Sequence, residues 1–156
     1  MNSTTREARN GELTAAISNA VVRCTRDYTG RGPTKARTTL DTNLVVVTLE
    51  DTLTRGERSL ADSGKGEMVV DIRRCFQMTM RDDMVGRVEA LLGRKVIAFM
   101  SDNHIDPDVG VEVFILEPLP GNGNGNSNGA VARKHPGEPG GDGVSHQGPA
   151  RAGEGA

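Results

Sequence analysis

The chain has 156 residues, of which 35% are hydrophobic, 26% are charged and 3% are aromatic, and its formal net charge is −2. This length favours one domain with an extension. The small net charge and the absence of tryptophan argue against a nucleic-acid-binding protein, because neither a general basic field nor aromatic rings for base stacking are supplied.

The first element is a predicted helix over about 11–28, because apolar residues recur there at three- and four-residue steps. The residues of this stripe are Leu13, Ile17, Ala20, Val21, Cys24 and Tyr28. Residues 1–10 before it are assigned to a flexible N-terminus. The stretch "GRGPTK" ends the helix, since glycine accepts the left-handed cap and proline cannot continue the helix.

Two strands are predicted next, over about 36–40 and 43–50, with "DTN" as the turn between them. The second strand, "LVVVTL", is apolar at consecutive positions, which is typical of a strand whose two faces are both covered. One layer of helices covers only one face of a sheet. The pattern therefore predicts that a second copy of the chain covers the other face, in a homodimer.

Two helices follow in the sequence. Thr54 and Glu57 have the spacing of a capping box, which predicts the start of a short helix that ends near "DSGKG". A long helix is predicted from about residue 66 to residue 92. Its predicted core-facing stripe consists of Val69, Ile72, Phe76, Met80, Val88 and Leu91, joined by Met68, Cys75 and Met84. The methionines are interpreted as core-filling residues.

A strand "KVIAFM", a loop "SDNHIDPDVG" and a strand "VEVFILEP" predict a closing hairpin. The order α-β-β-α-α-β-β indicates an α+β fold, in which a mainly antiparallel four-stranded sheet has helices packed on it. This domain spans residues 11–118. Residues 119–156 are rich in glycine, asparagine and proline, and we predict a disordered tail because so few apolar groups cannot offset the entropy of ordering.

Neither a signal-peptide pattern nor an apolar run of about 18 residues is found, so the sequence predicts a cytoplasmic protein that does not insert into a membrane directly. Cys24 and Cys75 lack a CxxC spacing and are interpreted as reduced, buried thiols.

The blocks "GRGPTKARTTL", "NLVVVTLEDTLTRGERSLA" and "VIAFMSDNHIDPDVGVEVFILEP", with a long helix before the last, resemble the MpsC-like domain over about residues 12–118. This resemblance implies a soluble accessory component associated with ion or inorganic-carbon transport, with a membrane-transport or regulatory protein as partner. It supplies no catalytic residues. The segment "SDNHIDPD" departs from the shorter, serine-rich form of many members, which puts a shared role there in doubt.

The stretch "GRGPTK" also resembles a phosphate loop. A P-loop has the spacing GxxxxGK[ST] and joins a strand to a helix, whereas here the helix comes first and offers its carbonyl end, so nucleotide hydrolysis is rejected. Two interpretations stay open: a helix cap with solvated cations, or a site that binds an anion or an acidic partner. The residues of this candidate site are Gly30, Arg31, Gly32, Lys35 and Arg37.

The segment "SDNHIDPD" brings together potential metal ligands, namely Asp102, His104, Asp106 and Asp108. Their spacing matches no calcium loop, and a polar turn explains them equally well, so no metal and no cofactor is predicted. No nucleophile elbow precedes Ser101, which argues against a hydrolase. The sequence thus favours a non-enzymatic accessory or regulatory protein, and a small-anion or nucleotide sensor that uses the basic loop is the alternative.

Overall fold

The computed structural model describes residues 3–120. Its elements follow the predicted order, with three helices and four strands. They are α1 (Ser3–Thr29), β1 (Lys35–Leu40), β2 (Leu44–Glu50), α2 (Arg55–Asp62), α3 (Gly66–Leu92), β3 (Val96–His104) and β4 (Val109–Leu116).

The strands form one antiparallel sheet in the order β1-β2-β4-β3, which confirms the α+β fold class. The two central strands, β2 and β4, are the ones with nearly continuous aliphatic sequences. The strand β4 returns from the last hairpin to lie beside β2, so β1 and β3 become the sheet edges. Strand order could not be read from the sequence, because each pairing is antiparallel and several orders satisfy the same apolar pattern.

The helices α1 and α3 pack together and cover one face of the sheet. The core between them contains Ile17, Val21, Cys24, Val45, Val47, Leu49, Met80, Met84, Val88, Phe114 and Leu116. The rings of Phe99 and Phe114 lie 5.0 Å apart between their centroids, a tilted contact typical of packed aromatic pairs. Alternate residues of β2 and β4 point into this core, and their neighbours point to the opposite face.

The first helix begins at Ser3, earlier than the predicted start near residue 11. Residues 3–10, which were assigned to a flexible N-terminus, form the first turns of α1. The apolar stripe starts only at Leu13, and the helix extends before it through Gly11, since a glycine inside a helix costs only about 1 kcal/mol. The predicted tail lies outside the described residues from position 121 onward.

The capping box of α2 is confirmed, since the Thr54 hydroxyl accepts a hydrogen bond from the Glu57 backbone and the Glu57 carboxylate accepts one from the Thr54 backbone. The predicted bounds of α3 are confirmed as well. Its predicted core stripe is partly wrong, because Ile72 and Leu91 are 38% and 40% exposed. The buried stripe is instead Val69, Arg73, Gln77, Met80, Met84 and Val88, with two polar members.

The last hairpin is longer than predicted. The strand β3 continues through His104 and β4 begins at Val109, so most of the segment predicted as a loop belongs to strands. The residues of "SDNH" are polar on both sides of the strand, and this composition suggested a loop. Among residues 3–120, no helix has the length and apolarity needed to cross a bilayer.

Candidate functional site

The basic loop after α1 is tied down by Arg31. Its guanidinium Nη2 lies 2.7 Å from Asp51 Oδ2, and its Nη1 donates to the Leu53 carbonyl. Asp51 follows β2 with a φ of 53°, a left-handed conformation that directs its carboxylate toward Arg31 and also Arg58, 3.3 Å away. The Arg31 side chain therefore connects the end of α1 to the junction between β2 and α2.

The other residues of the predicted anion site have different surroundings. Gly30 caps α1 with a φ of 79°, and a Cβ on Gly32 would lie 3.2 Å from Val22. Lys35 and Arg37 lie on the outward side of β1, where Lys35 Nζ is 3.1 Å from Glu50 Oε2. The fold thus places Lys35 and Arg37 on one surface, whereas Arg31 is bound to Asp51 and to the Leu53 carbonyl of the same chain. Anion binding by the set stays a prediction.

The acidic residues of the last hairpin do not converge. The carboxylate of Asp108 accepts hydrogen bonds from the backbone and hydroxyl of Thr52, from the Leu53 backbone and from Arg58. Burial opposes ionisation of Asp108, but these hydrogen bonds and Arg58 hold its pKa below the usual value. Asp102 and His104 face outward from β3, and no group of three or more metal-binding side chains exists within the described part of the chain.

The outward face of the sheet, which we call the open face, carries aliphatic residues of both β2 and β4. Its central residues are Leu44, Val46, Val111, Val113 and Ile115, and all of them are partly exposed. Along the β3 edge, Met100 is 53% exposed and Ile97 is 61% exposed at a β-bulge. No described element packs on this face, because the element contacts of both long helices with the sheet lie on the inner side.

Beneath the helices, the inner face is polar at one end. Arg73 of α3 is 6% exposed and donates from Nη1 to both carboxylate oxygens of Glu57 at 3.1 Å. Its Nε donates to Asn103 Oδ1 at 3.0 Å, which links α3 to β3. The Arg73–Glu57 pair thereby joins α2, α3 and the sheet in one buried network. Breaking such a pair is costly, because the remaining charge would be buried alone.

Glu112 of β4 lies beside this network and is 3% exposed. It lines a cavity of about 10 Å³, the space of one water molecule, together with Gln77 and Thr25. Its Oε2 and the Oγ of the cross-strand neighbour Ser101 have no hydrogen-bond partner among the described residues. Burial raises the pKa of Glu112 to about 7, while the positive charge of Arg73 acts in the opposite direction.

The two cysteines are both free thiols. Cys24 is buried as predicted, and burial raises its pKa to about 11, which makes it a poor nucleophile. Arg87 opposes that shift, and Asp83, whose Oδ2 lies 3.8 Å from the sulfur, adds to it. The prediction that Cys75 is buried is wrong, because this residue lies on the exposed side of α3.

Sequence reasoning missed the buried polar residues Arg73, Gln77 and Glu112. A signal for the first two existed, since positions 69, 73, 77, 80, 84 and 88 form a regular helical stripe once polar residues are admitted to it. For Glu112 the strict alternation within β4 was the signal, because its neighbours Gly110 and Phe114 share the inward side. Both were overlooked because charged residues are rarely buried.

Comparison with known families identifies one match. Residues 9–118 match the family described as the Na+-translocating membrane potential-generating system (MpsC). No curated protein and no solved structure is significantly similar to the chain. The matched segment spans all strands and all of α2 and α3, so it coincides with the folded domain. The resemblance seen in the sequence is thereby confirmed, and the chain belongs to the MpsC family.

Proposed function

We propose that this chain is a non-enzymatic accessory protein of an ion- or inorganic-carbon-transport system. In this proposal it works in the cytoplasm, forms a homodimer through the open face, and acts by contact with a membrane-transport or regulatory protein. The family description supports the link to transport. The two free thiols fit a reducing compartment. The observation that carries the proposal is the aliphatic open face.

An antiparallel sheet with one solvated face usually has polar residues on that face. Here the outward positions of the two central strands are mostly valine, leucine and isoleucine. Burying such side chains contributes about 25 cal/mol per Å² of apolar surface, and monomeric proteins rarely leave a contiguous patch of this kind in water. A second protein surface is the covering that accounts for these residues.

The polar groups inside the fold support a role without catalysis. Arg73 and Glu57 bind each other, and Asp108 binds the backbone that precedes α2. The Cys24 thiol of α1 is buried in the core. These groups stabilise the fold. The exposed aliphatic surface is suited to contact with another protein.

The dimer is tested by placing a charge at the centre of the open face. Val113→Lys should give a folded monomer, because a desolvated ammonium would lie in the interface. The matched control is Met78→Lys, at a hydrophobic residue that is 71% exposed on α3. Light scattering gives the mass, and circular dichroism reports the fold. A wild-type protein that is monomeric at every concentration would refute the dimer.

The partner is tested by affinity purification of the tagged chain from its native host. The expected result is recovery of a membrane-embedded ion-transport subunit, identified by mass spectrometry. The same recovery with Met78→Lys and its loss with Val113→Lys would connect the partner to the dimer. Turnover of a metabolite by the purified chain alone would contradict the accessory role.

The second candidate function is a small-anion or nucleotide sensor. It is favoured by one observation: Lys35 and Arg37 share the outward side of β1, and Arg37 makes no ion pair with any residue between 3 and 120. Phosphate, bicarbonate and nucleotides should then raise the melting temperature, and Lys35→Ala should remove the shift. An unchanged melting temperature with all of them would exclude the sensor.

A further inference from the structure

The open face is divided along the strand direction into an aliphatic end and a charged end. Cross-strand pairing places its residues in rows, which run from β1 through β2 and β4 to β3. The aliphatic rows are Leu44–Ile115–Ala98 and Thr39–Val46–Val113–Met100. The charged rows are Arg37–Thr48–Val111–Asp102 and Lys35–Glu50–Val109–His104.

Two copies that pack face to face are related by a twofold axis lying between the sheets. If the axis runs across the strands, the aliphatic end of one copy lies on the charged end of the other, which buries charges against aliphatic groups. If the axis runs parallel to the strands, each row lies on the same row of the other copy and the β1 edge lies on the β3 edge. Only the second arrangement matches like with like.

We infer that the homodimer has its twofold axis parallel to β2 and β4, so that Arg37 of each copy pairs with Asp102 of the other. The same operation places Val46 over Val113 of the other copy. This inference rests on the dimer of the proposed function and adds which residues meet. In this arrangement the ion pairs and the facing aliphatic rows together determine how the second copy sits on the open face.

The two charged residues are suited to this pairing. Arg37 and Asp102 are both exposed and lie at opposite edges of the face, and neither makes an ion pair within the described segment. Within one copy three strand spacings separate them, about 14 Å, so they cannot reach each other there. Facing sheets pack about 10 Å apart, a gap that an arginine side chain can span.

The chain's own C-terminal segment is a poor alternative occupant of the open face. From residue 121 onward its only large aliphatic residues are Val131 and Val144, and glycine, asparagine and charged residues dominate. Such a segment offers too little apolar surface to cover the central rows of the face. A second copy offers the same aliphatic rows that need covering.

The test is a charge exchange. Arg37→Glu and Asp102→Arg should each weaken the dimer about tenfold or more at low salt, because each places like charges opposite one another twice per dimer. The double variant, Arg37→Glu with Asp102→Arg, should restore the dimer, since the opposite charges meet again across the interface. Restoration cannot arise inside one copy, given the separation of the two residues. Sedimentation equilibrium gives the dissociation constants.

A matched control is Arg81→Glu, which makes the same change on the exposed surface of α3 and should leave the dimer unchanged. If both single variants keep the wild-type dissociation constant, or if the double variant dimerises no more tightly than the single variants, the proposed register is wrong although the dimer exists. A wild-type chain that is monomeric would instead refute both the proposed dimer and its register. Circular dichroism on each variant separates these results from misfolding.

Discussion

The two faces of β4 differ in an unexpected way. The inward face, which packs against the helices, carries Glu112 between Gly110 and Phe114. The outward face, which no described element covers, carries valine or isoleucine at each position. In a sheet built only to fold a single chain, the charged residue would face water and the aliphatic ones would face the helices. The buried Glu112 and the partly exposed aliphatic residues both depart from that pattern, and the proposed dimer would account for the aliphatic ones.

The largest expected effect is a loss of folding stability, and its dependence on protein concentration should differ between variants of the two faces. Phe114→Ala should lower the free energy of unfolding by about 4 kcal/mol at any concentration, because it opens a cavity in the core. Val113→Thr should lower it little in dilute protein, where the open face is wet, and more in concentrated protein, where dimerisation stabilises the fold. Urea unfolding at two concentrations measures both. If the stability loss of the two variants depended on protein concentration in the same way, the two faces would not differ in their role.

The next effect tests the polar end of the inner face. Arg73→Met should lower the free energy of unfolding by about 3 kcal/mol, because Glu57 would be left buried without its partner. Changing Glu57 to glutamine as well should recover part of that loss, because the amide carries no buried charge and its oxygen can still accept the capping-box hydrogen bond from the Thr54 backbone. The matched control is the neighbouring Arg74→Met, whose pair with Asp71 is mostly exposed and should contribute about 0.5 kcal/mol or less. Equal stability losses for Arg73→Met and Arg74→Met would show that the buried ion pair contributes no more to stability than an exposed one.

Much of the fold follows from local patterns in the sequence. The capping box at Thr54 fixes the start of α2, and the glycine at 93, with a φ of 63°, ends α3 where the apolar pattern stops. The consecutive aliphatic residues of β2 indicated that both of its faces need covering. The helices α1 and α3 cover the inner face, and in the proposed dimer a second copy covers the outer one.

The polar interior could not be read from the sequence in the same way. The burial of Arg73 depends on Glu57, which lies on another helix, and on Asn103, which lies on a strand far along the chain. Residue type alone places an arginine in water, and only the tertiary pairing overrides that preference. For the same reason Arg31, predicted as an anion ligand, is found with Asp51, because pairing partners brought together by folding leave no local signature.

The last expected effect concerns Glu112 and is seen only at one end of the pH range. Burial raises the pKa of Glu112 from 4.5 to about 7, so between these values the unfolded chain releases a proton that the folded chain keeps. Stability from this residue is therefore fully present below pH 4.5 and is lost as the pH rises through 7. Above that range the ionised carboxylate costs about 3 kcal/mol, since one pKa unit corresponds to about 1.4 kcal/mol.

Glu112→Gln keeps the shape of the protonated carboxyl and cannot ionise. The variant should match the wild type in acid and melt at a higher temperature in mild base, where the wild type has lost its proton. Glu117→Gln, at an exposed position just beyond β4, is the control and should show no such dependence. Thermal melts across the pH range measure the difference. A gain of the same size at both ends of the range would mean that glutamine improves the packing there, and that the proton on Glu112 has no part in holding the inner face together.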